Sequence, residues 1–211
     1  MTKILILGAS GQIARQVVDI LAERNSAELT LFLRDAKKLG RKIPANTRVI
    51  EGDVHDAAKL KEAMGGQDVV YANLAGDVDT QAAAIIAAMN VTGVRKLIFC
   101  TTLGIYDEVP GEFGEWNNRE IGEYFPPYRK AADLIEASGL DYAVLRPAWL
   151  TDADEVDYET TERNEPFKGT EVARKSVAAL VVELVAVPGA LGNRNIGVNK
   201  PDTDGDKPAF M

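Results

Sequence analysis

Ile4-Leu5-Ile6-Leu7-Gly8-Ala9-Ser10-Gly11-Gln12-Ile13-Ala14 decides how the rest of this 211-residue chain is read. Four consecutive apolar residues without polar alternation fit a strand buried on both faces, as in a parallel sheet. Gly8 ends that run, and Ile13, Val17, Ile20 and Leu21 then recur at helical spacing over residues 11–24. Glycines between a buried strand and a helix let the backbone turn tightly and approach a pyrophosphate. The helix start beyond them offers unpaired N–H groups and a favourable dipole. Ala14, in the third small position, permits close packing of helix on strand. Gly8, Ala9, Ser10, Gly11, Gln12 and Ile13 are therefore candidate dinucleotide contacts.

Working outward, the pattern predicts strands at 28–33, 48–51, 68–72, 96–101, 141–145 and 193–198, and helices at 56–64, 80–90, 128–137 and 171–186. This rhythm predicts an α/β fold: a Rossmann-type doubly wound parallel sheet with helices on both faces, in one domain spanning 1–211. Two stretches break it. Residues 104–127 are rich in Gly, Pro, Glu and aromatics, and 151–169 are acidic and polar. Each follows a strand's C-terminal end, where open α/β sheets place ligands, so both are candidate substrate-side loops. An ordinary surface loop fits 151–169 equally well. Trp116 and Trp149 belong to these regions and either stack on a planar ligand or pack internally. The tail, 201–211, polar with two prolines, reads as disordered.

Composition bounds the function. The net charge of −8 opposes general binding to phosphate backbones, so no nucleic-acid partner is expected. No run approaches the roughly 18–20 apolar residues of a membrane span, so no membrane partner is expected. Met1-Thr2-Lys3 leads straight into the first strand, unlike a signal peptide, and a cytoplasmic location is the expectation. One cysteine, Cys100, and one histidine, His55, argue against a disulfide, a metal site and a Ser-His-Asp triad. Cys100 sits in an apolar strand and reads as core. Asp152, Asp154, Glu155 and Asp157 read as solvated surface. A monomer or small homo-oligomer is expected.

The strand ends carry the remaining signals. Leu33-Arg34-Asp35 lies about 20 positions after the glycine loop, where an acid bonds a ribose 2′-hydroxyl and an Arg accommodates a 2′-phosphate. Arg34 offers a planar cationic fork, with Lys37 and Lys38 nearby, and so favours NADP(H) over NAD(H); Asp35 argues the other way. In Gly52-Asp53-Val54 the carboxylate suits an adenine amino group and Val54 its face, although Asp53 fits a helix cap as well. Asn73-Leu74-Ala75-Gly76 supplies small residues that allow backbone approach to a ribose.

The order of the glycine loop, Gly52-Asp53-Val54, Asn73-Leu74-Ala75-Gly76, Thr101-Thr102 and Arg146-Pro147 resembles that of the atypical short-chain dehydrogenase/reductases. It is most similar to the NmrA-like and biliverdin-reductase-B-like NAD(P)H-binding proteins. The stretch from Lys130 through Glu136, Gly139 and Tyr142 fits the same group, and the resemblance covers roughly residues 1–150. It implies that Thr102 orients the substrate and that Lys130 holds the nicotinamide ribose. Thr101 and Pro147 then lie at the nicotinamide end. It also implies a tyrosine four residues before Lys130, where this chain has Pro126. Pro126-Pro127 predicts a helix starting no earlier than about 127. Tyr106, Tyr124 and Tyr128 are the nearby phenols, and spacing assigns the proton-donor role to none of them.

Two functions remain open at this stage. One is an NADPH-dependent oxidoreductase acting on a small planar acceptor such as a flavin or quinone, which takes its proton from water. The other is a non-enzymatic NADP(H)-binding sensor of the NmrA-like type. A nucleotide-sugar epimerase is disfavoured by Pro126 and by the chain's length.

Overall fold

The computed structural model of the chain describes residues 1–40, 43–187 and 189–211. Strands β1 (Thr2–Leu7), β2 (Ala27–Leu33), β3 (Thr47–Glu51), β4 (Val69–Ala72), β5 (Lys96–Cys100) and β6 (Asp141–Pro147) alternate with helices α1 (Gln12–Arg24), α2 (Ala57–Met64), α3 (Val78–Thr92), α4 (Gly111–Ile121) and α5 (Phe125–Glu136). Then come β7 (Trp149–Thr151), β8 (Glu159–Thr161), β9 (Glu171–Ala173), α6 (Arg174–Ala186) and β10 (Arg194–Asn199). The main sheet has the order β3-β2-β1-β4-β5-β6-β10-β8, parallel except for β8, which runs antiparallel to β10.

The sheet separates two cores, and β1 shows why its sequence is continuously apolar. Ile4 and Ile6 face α1 and α6, whereas Leu5 and Leu7 face α2, α3 and α5; all four are fully buried. A strand with successive side chains on opposite faces, both covered by helices, has no position at which a polar residue is solvated. This is the expected doubly wound, Rossmann-type sheet.

Several expectations are corrected. Residues 104–127 contain α4, whose Phe113, Trp116, Asn117 and Ile121 turn inward at helical spacing; the glycines and acids of that stretch mask the pattern. Helix α5 starts at Phe125, with Pro126 and Pro127 inside its first turn, where their missing N–H groups have no intrahelical partner to lose. Residues 151–169 include β8 at the sheet edge, and residues 171–173 are a strand, β9, that pairs with β7 before α6 begins. The acidic run is paired: exposed Asp152 with Arg174, exposed Asp154 with Lys175, and half-buried Glu155 with Lys200. The tail is held by side-chain bonds, because Thr170 Oγ1 donates to the Thr203 carbonyl at 2.7 Å and Ala209 N donates to Glu171 Oε2 at 2.8 Å.

On the α5 side of β6 and β10 the interior is polar. Arg146 is fully buried, donates to Asn195 Oδ1 at 2.8 Å and pairs with Glu108, whose side chain is also buried. Glu108 further accepts from the backbone N–H groups of Gly104 and Tyr106, at 3.0 and 2.9 Å. This pair clamps the segment after β5 onto the sheet. Removing one member of a buried pair leaves the other charge uncompensated, at a cost of about 3–5 kcal/mol. Glu108→Ala should therefore lower unfolding free energy by about that much in urea titration, and combining it with Arg146→Met should recover part of the loss. A single-variant loss below about 1 kcal/mol, the scale of a surface pair, would show that the clamp is not structural.

Candidate functional site

The parallel register lines up the strand ends. Leu7 pairs with Ala72, Ala72 with Phe99, and Cys100 with Leu145. The turns that follow β1, β4, β5 and β6 therefore succeed one another along one sheet edge.

Gly8 holds a φ of +76°, a region that glycine enters without steric cost. A Cβ there would collide with the Asn73 carbonyl oxygen, and one on Gly11 would collide with Asn73 Nδ2. The backbone leaving β4 thus requires a glycine at position 8, whereas at Gly11 the contact is with the end of the Asn73 side chain. Gly11 precedes α1 and provides no side-chain cap, so the first N–H groups of that helix have no side-chain acceptor from it. Ala14 is fully buried, as close helix–strand packing requires.

A cavity of about 230 Å³ lies against this turn. Its walls are Gly8, Ser10 and Gly11 from the glycine loop, Phe32 to Arg34 from the end of β2, Gly52 to Val54 after β3, Asn73 to Ala75 after β4, and Gln81 from α3. Four separate sequence signals meet here. Ala9, Gln12, Ile13 and Gly76 are not on its wall: Ala9 and Ile13 are buried, Gln12 is exposed, and Gly76 follows Ala75 in the chain. Phe32 and Gln81 carry no signal in the sequence, whereas Leu33 and Gly52 belong to the strand-end motifs named above. Gln81 Nε2 donates to the Ala75 carbonyl at 3.2 Å, and its buried Oε1 has no partner. An unpartnered buried acceptor at a cavity wall is a place for a ligand donor.

The charges at the β2 end sort themselves. Asp35 accepts from Lys37 N at 3.0 Å and so caps the 3-10 turn Ala36–Leu39. One carboxylate oxygen of Asp35 is thus engaged locally. Arg34 is exposed and has no hydrogen bond or ion pair among the described residues. Arg15 of α1 bonds the Ser10 carbonyl at 3.0 Å and also the Lys38 carbonyl, tying the glycine loop to the 3-10 turn. Asp53 accepts from His55 N at 2.9 Å, while Asp56 is the cap of α2.

The opposite end of the edge differs from expectation. The Thr101 hydroxyl is buried and donates to the Leu145 carbonyl at 2.9 Å, so it joins β5 to β6. Thr102 is half-buried at the same edge, and buried Pro147 ends β6, its carbonyl accepting from Leu103 N. Thr101, Thr102, Lys130 and Pro147 do not line the 230 Å³ cavity. Lys130 donates from Nζ to Asp79 Oδ2 at 2.8 Å, linking α5 to α3. Of the nearby phenols, Tyr106 is turned onto the sheet face, donating to Glu136 and accepting from Asn195 Nδ2. The Arg129 and Arg163 guanidiniums flank its ring, each 4.4 Å from the centroid. Burial and then Glu136 push its pKa up to about 12. Burial likewise raises Tyr128, and Glu123 raises the exposed Tyr124. Every tyrosine in the chain is shifted upward, the wrong direction for a lysine-activated acid. Trp116 and Trp149 pack on each other with centroids 4.7 Å apart, and Trp149 Nε1 donates to buried Asn117.

A family described as NAD(P)H-binding matches residues 8–188. A Rossmann-fold NAD(P)-binding family protein from Shigella flexneri is 52% identical, with all of both chains covered and a TM-score of 0.87. A wide-type short-chain dehydrogenase/reductase from Veillonella parvula, solved in complex with NADP, is 27% identical over 99% of each chain, with a TM-score of 0.90. The NAD(P)H azoreductase of Xenophilus azovorans is 26% identical over 149 residues, 70% of this chain; the chain spans about half of that enzyme, 48% of its length.

The Asp79–Lys130 pair makes its own prediction. Its hydrogen bond to Lys130 lowers the Asp79 pKa. A lowered carboxylate contributes stability fully above its unfolded pKa, near 4, and loses it as pH falls through the folded value. Lys130 is two-thirds exposed (66%), so the contribution is small, below about 1 kcal/mol. The melting-temperature gap between wild type and Asp79→Asn should be present at pH 6 and close below about pH 4; a gap that widens toward acid would contradict the pairing.

Proposed function

The chain belongs to the NAD(P)H-binding family, and from that premise we propose that it is an NADPH-dependent oxidoreductase that reduces a small planar acceptor such as a flavin, a quinone or an azo compound. Arg34 carries this reading. An exposed guanidinium without a carboxylate partner, at the end of β2 and on the wall of the glycine-loop cavity, matches the position of a ribose 2′-phosphate. The cavity suits the rest of that half of the dinucleotide. Backbone approach is open at Gly8 and Gly11, Val54 offers an apolar face, and Gln81 Oε1 awaits a donor. The azoreductase relative supports the planar acceptor class.

When bound, NADPH supplies the hydride. The protein's part is placement: the glycine loop and Arg34 hold the phosphates, and Thr102 and Lys130 sit at the acceptor end. Thr102 orients a bound group, and Lys130 holds ribose hydroxyls once it exchanges Asp79 for them. No tyrosine is tuned as an acid, which fits acceptors whose nitrogen or oxygen is protonated directly by water. A non-enzymatic NADP(H) sensor is the second reading, favoured by Pro126 in place of the tyrosine and by the engagement of Lys130 with Asp79.

Absorbance at 340 nm, followed against a panel of flavins, quinones and azo dyes, separates the two. The oxidoreductase reading expects turnover that falls at least about tenfold in Lys130→Met, about 1.4 kcal/mol of transition-state stabilisation. NADPH binding with no acceptor reduced across the panel would sink it and favour the sensor.

A further inference from the structure

We propose that Lys59 is the second cation of the 2′-phosphate subsite, facing Arg34 across a recess floored by Gly52, and so a determinant of NADP over NAD. The inference rests on the NADP(H) reading above and adds to it a residue from a different part of the chain. A recess of about 240 Å³ adjoins the glycine-loop cavity and shares Arg34, Gly52 and Asp53 with it; Glu51 and Lys59 complete its wall.

The wall holds two cations and two carboxylates, but their states differ. Glu51 Oε1 accepts from Ala36 N at 2.7 Å, and Asp53 Oδ1 accepts from His55 N at 2.9 Å. Each carboxylate thus already has a backbone donor. Among the described residues Arg34 has no hydrogen-bond or ion-pair partner, and Lys59 Nζ makes one bond, to the Glu51 carbonyl at 3.0 Å. An ammonium has three donors, so two stay available. Neither cation forms an ion pair among the described residues. A phosphomonoester, close to doubly charged and with three acceptor oxygens, answers both cations, whereas a neutral 2′-hydroxyl can accept a hydrogen bond but offsets neither charge.

The lysine is also positioned. A Cβ on Gly52 would stand 2.7 Å from Phe32 Cζ and 3.2 Å from Lys59 Cδ, so the aliphatic stem of Lys59 crosses directly over the glycine. Asp56 caps α2 by accepting from Lys59 N at 3.1 Å, fixing the backbone from which that stem departs. A larger residue at position 52 would press first on the Phe32 ring and then on the Lys59 stem.

Calorimetric titration of the full chain with NADPH and NADH, in wild type, Lys59→Met and Lys59→Arg, tests this. Lys59→Met should weaken NADPH about tenfold, the scale of one charge-assisted hydrogen bond. NADH affinity should stay within about twofold on the same energy scale, and it doubles as the control for folding. Lys59→Arg should retain most of the NADPH affinity. Equal losses for both nucleotides would reduce Lys59 to a tether for the Glu51 carbonyl and overturn the proposal, as would no loss for either. In both cases wild-type NADPH binding leaves the NADP(H) reading standing. A wild type that binds neither nucleotide, or binds both equally, would bring down that reading and this proposal together.

Discussion

The turn after β1 has to nest against the chain leaving β4. Gly8 and Gly11 lie so close to the Asn73 carbonyl and side chain that a single added Cβ at either would collide. This contact sets the entry of α1, keeps β1 and β4 adjacent at the point where the sheet winding reverses, and leaves a cavity at that crevice. Open α/β sheets bind ligands at such a switch point because the two flanking turns diverge there. Gly8 therefore serves the packing of the chain itself.

Charge around the cavity is organised by backbone demand. Asp35, Glu51, Asp53 and Asp56 each accept a nearby main-chain N–H, capping a turn or helix start. In a chain of net charge −8, this local engagement leaves Arg34 and Lys59 without a carboxylate partner among the described residues. Arg15 reinforces it mechanically by holding both the Ser10 and the Lys38 carbonyls. At the other end of the edge the balance reverses: Lys130 has a carboxylate partner, and the tyrosines are buried or set beside acids. One end of the edge thus carries cations without carboxylate partners among the described residues, and the other has its lysine paired.

What residue order determined was whatever depends on neighbours in the chain. The uninterrupted apolar β1, the βαβ rhythm and the glycine turn specify a doubly wound sheet because strand and helix periodicities are local properties. Arg34, Asp53 and Asn73 were legible because strand ends are legible. The composition of 104–127 concealed α4, whose inward face depends on packing against the α1–α6 core. Pro126-Pro127 predicts a helix start near 127, and α5 begins slightly earlier, at Phe125, with both prolines in its first turn. Tertiary structure alone decided that Thr101 bonds across to Leu145, that Arg146 is held by Glu108, and that Tyr106 turns away from the strand ends. It also decided that Gln81 and Lys59 reach the cavities, because the order β3-β2-β1-β4 brings together residues from turns far apart in sequence. Periodicity reports which face a residue occupies; only the packed sheet reports which other turn that face meets.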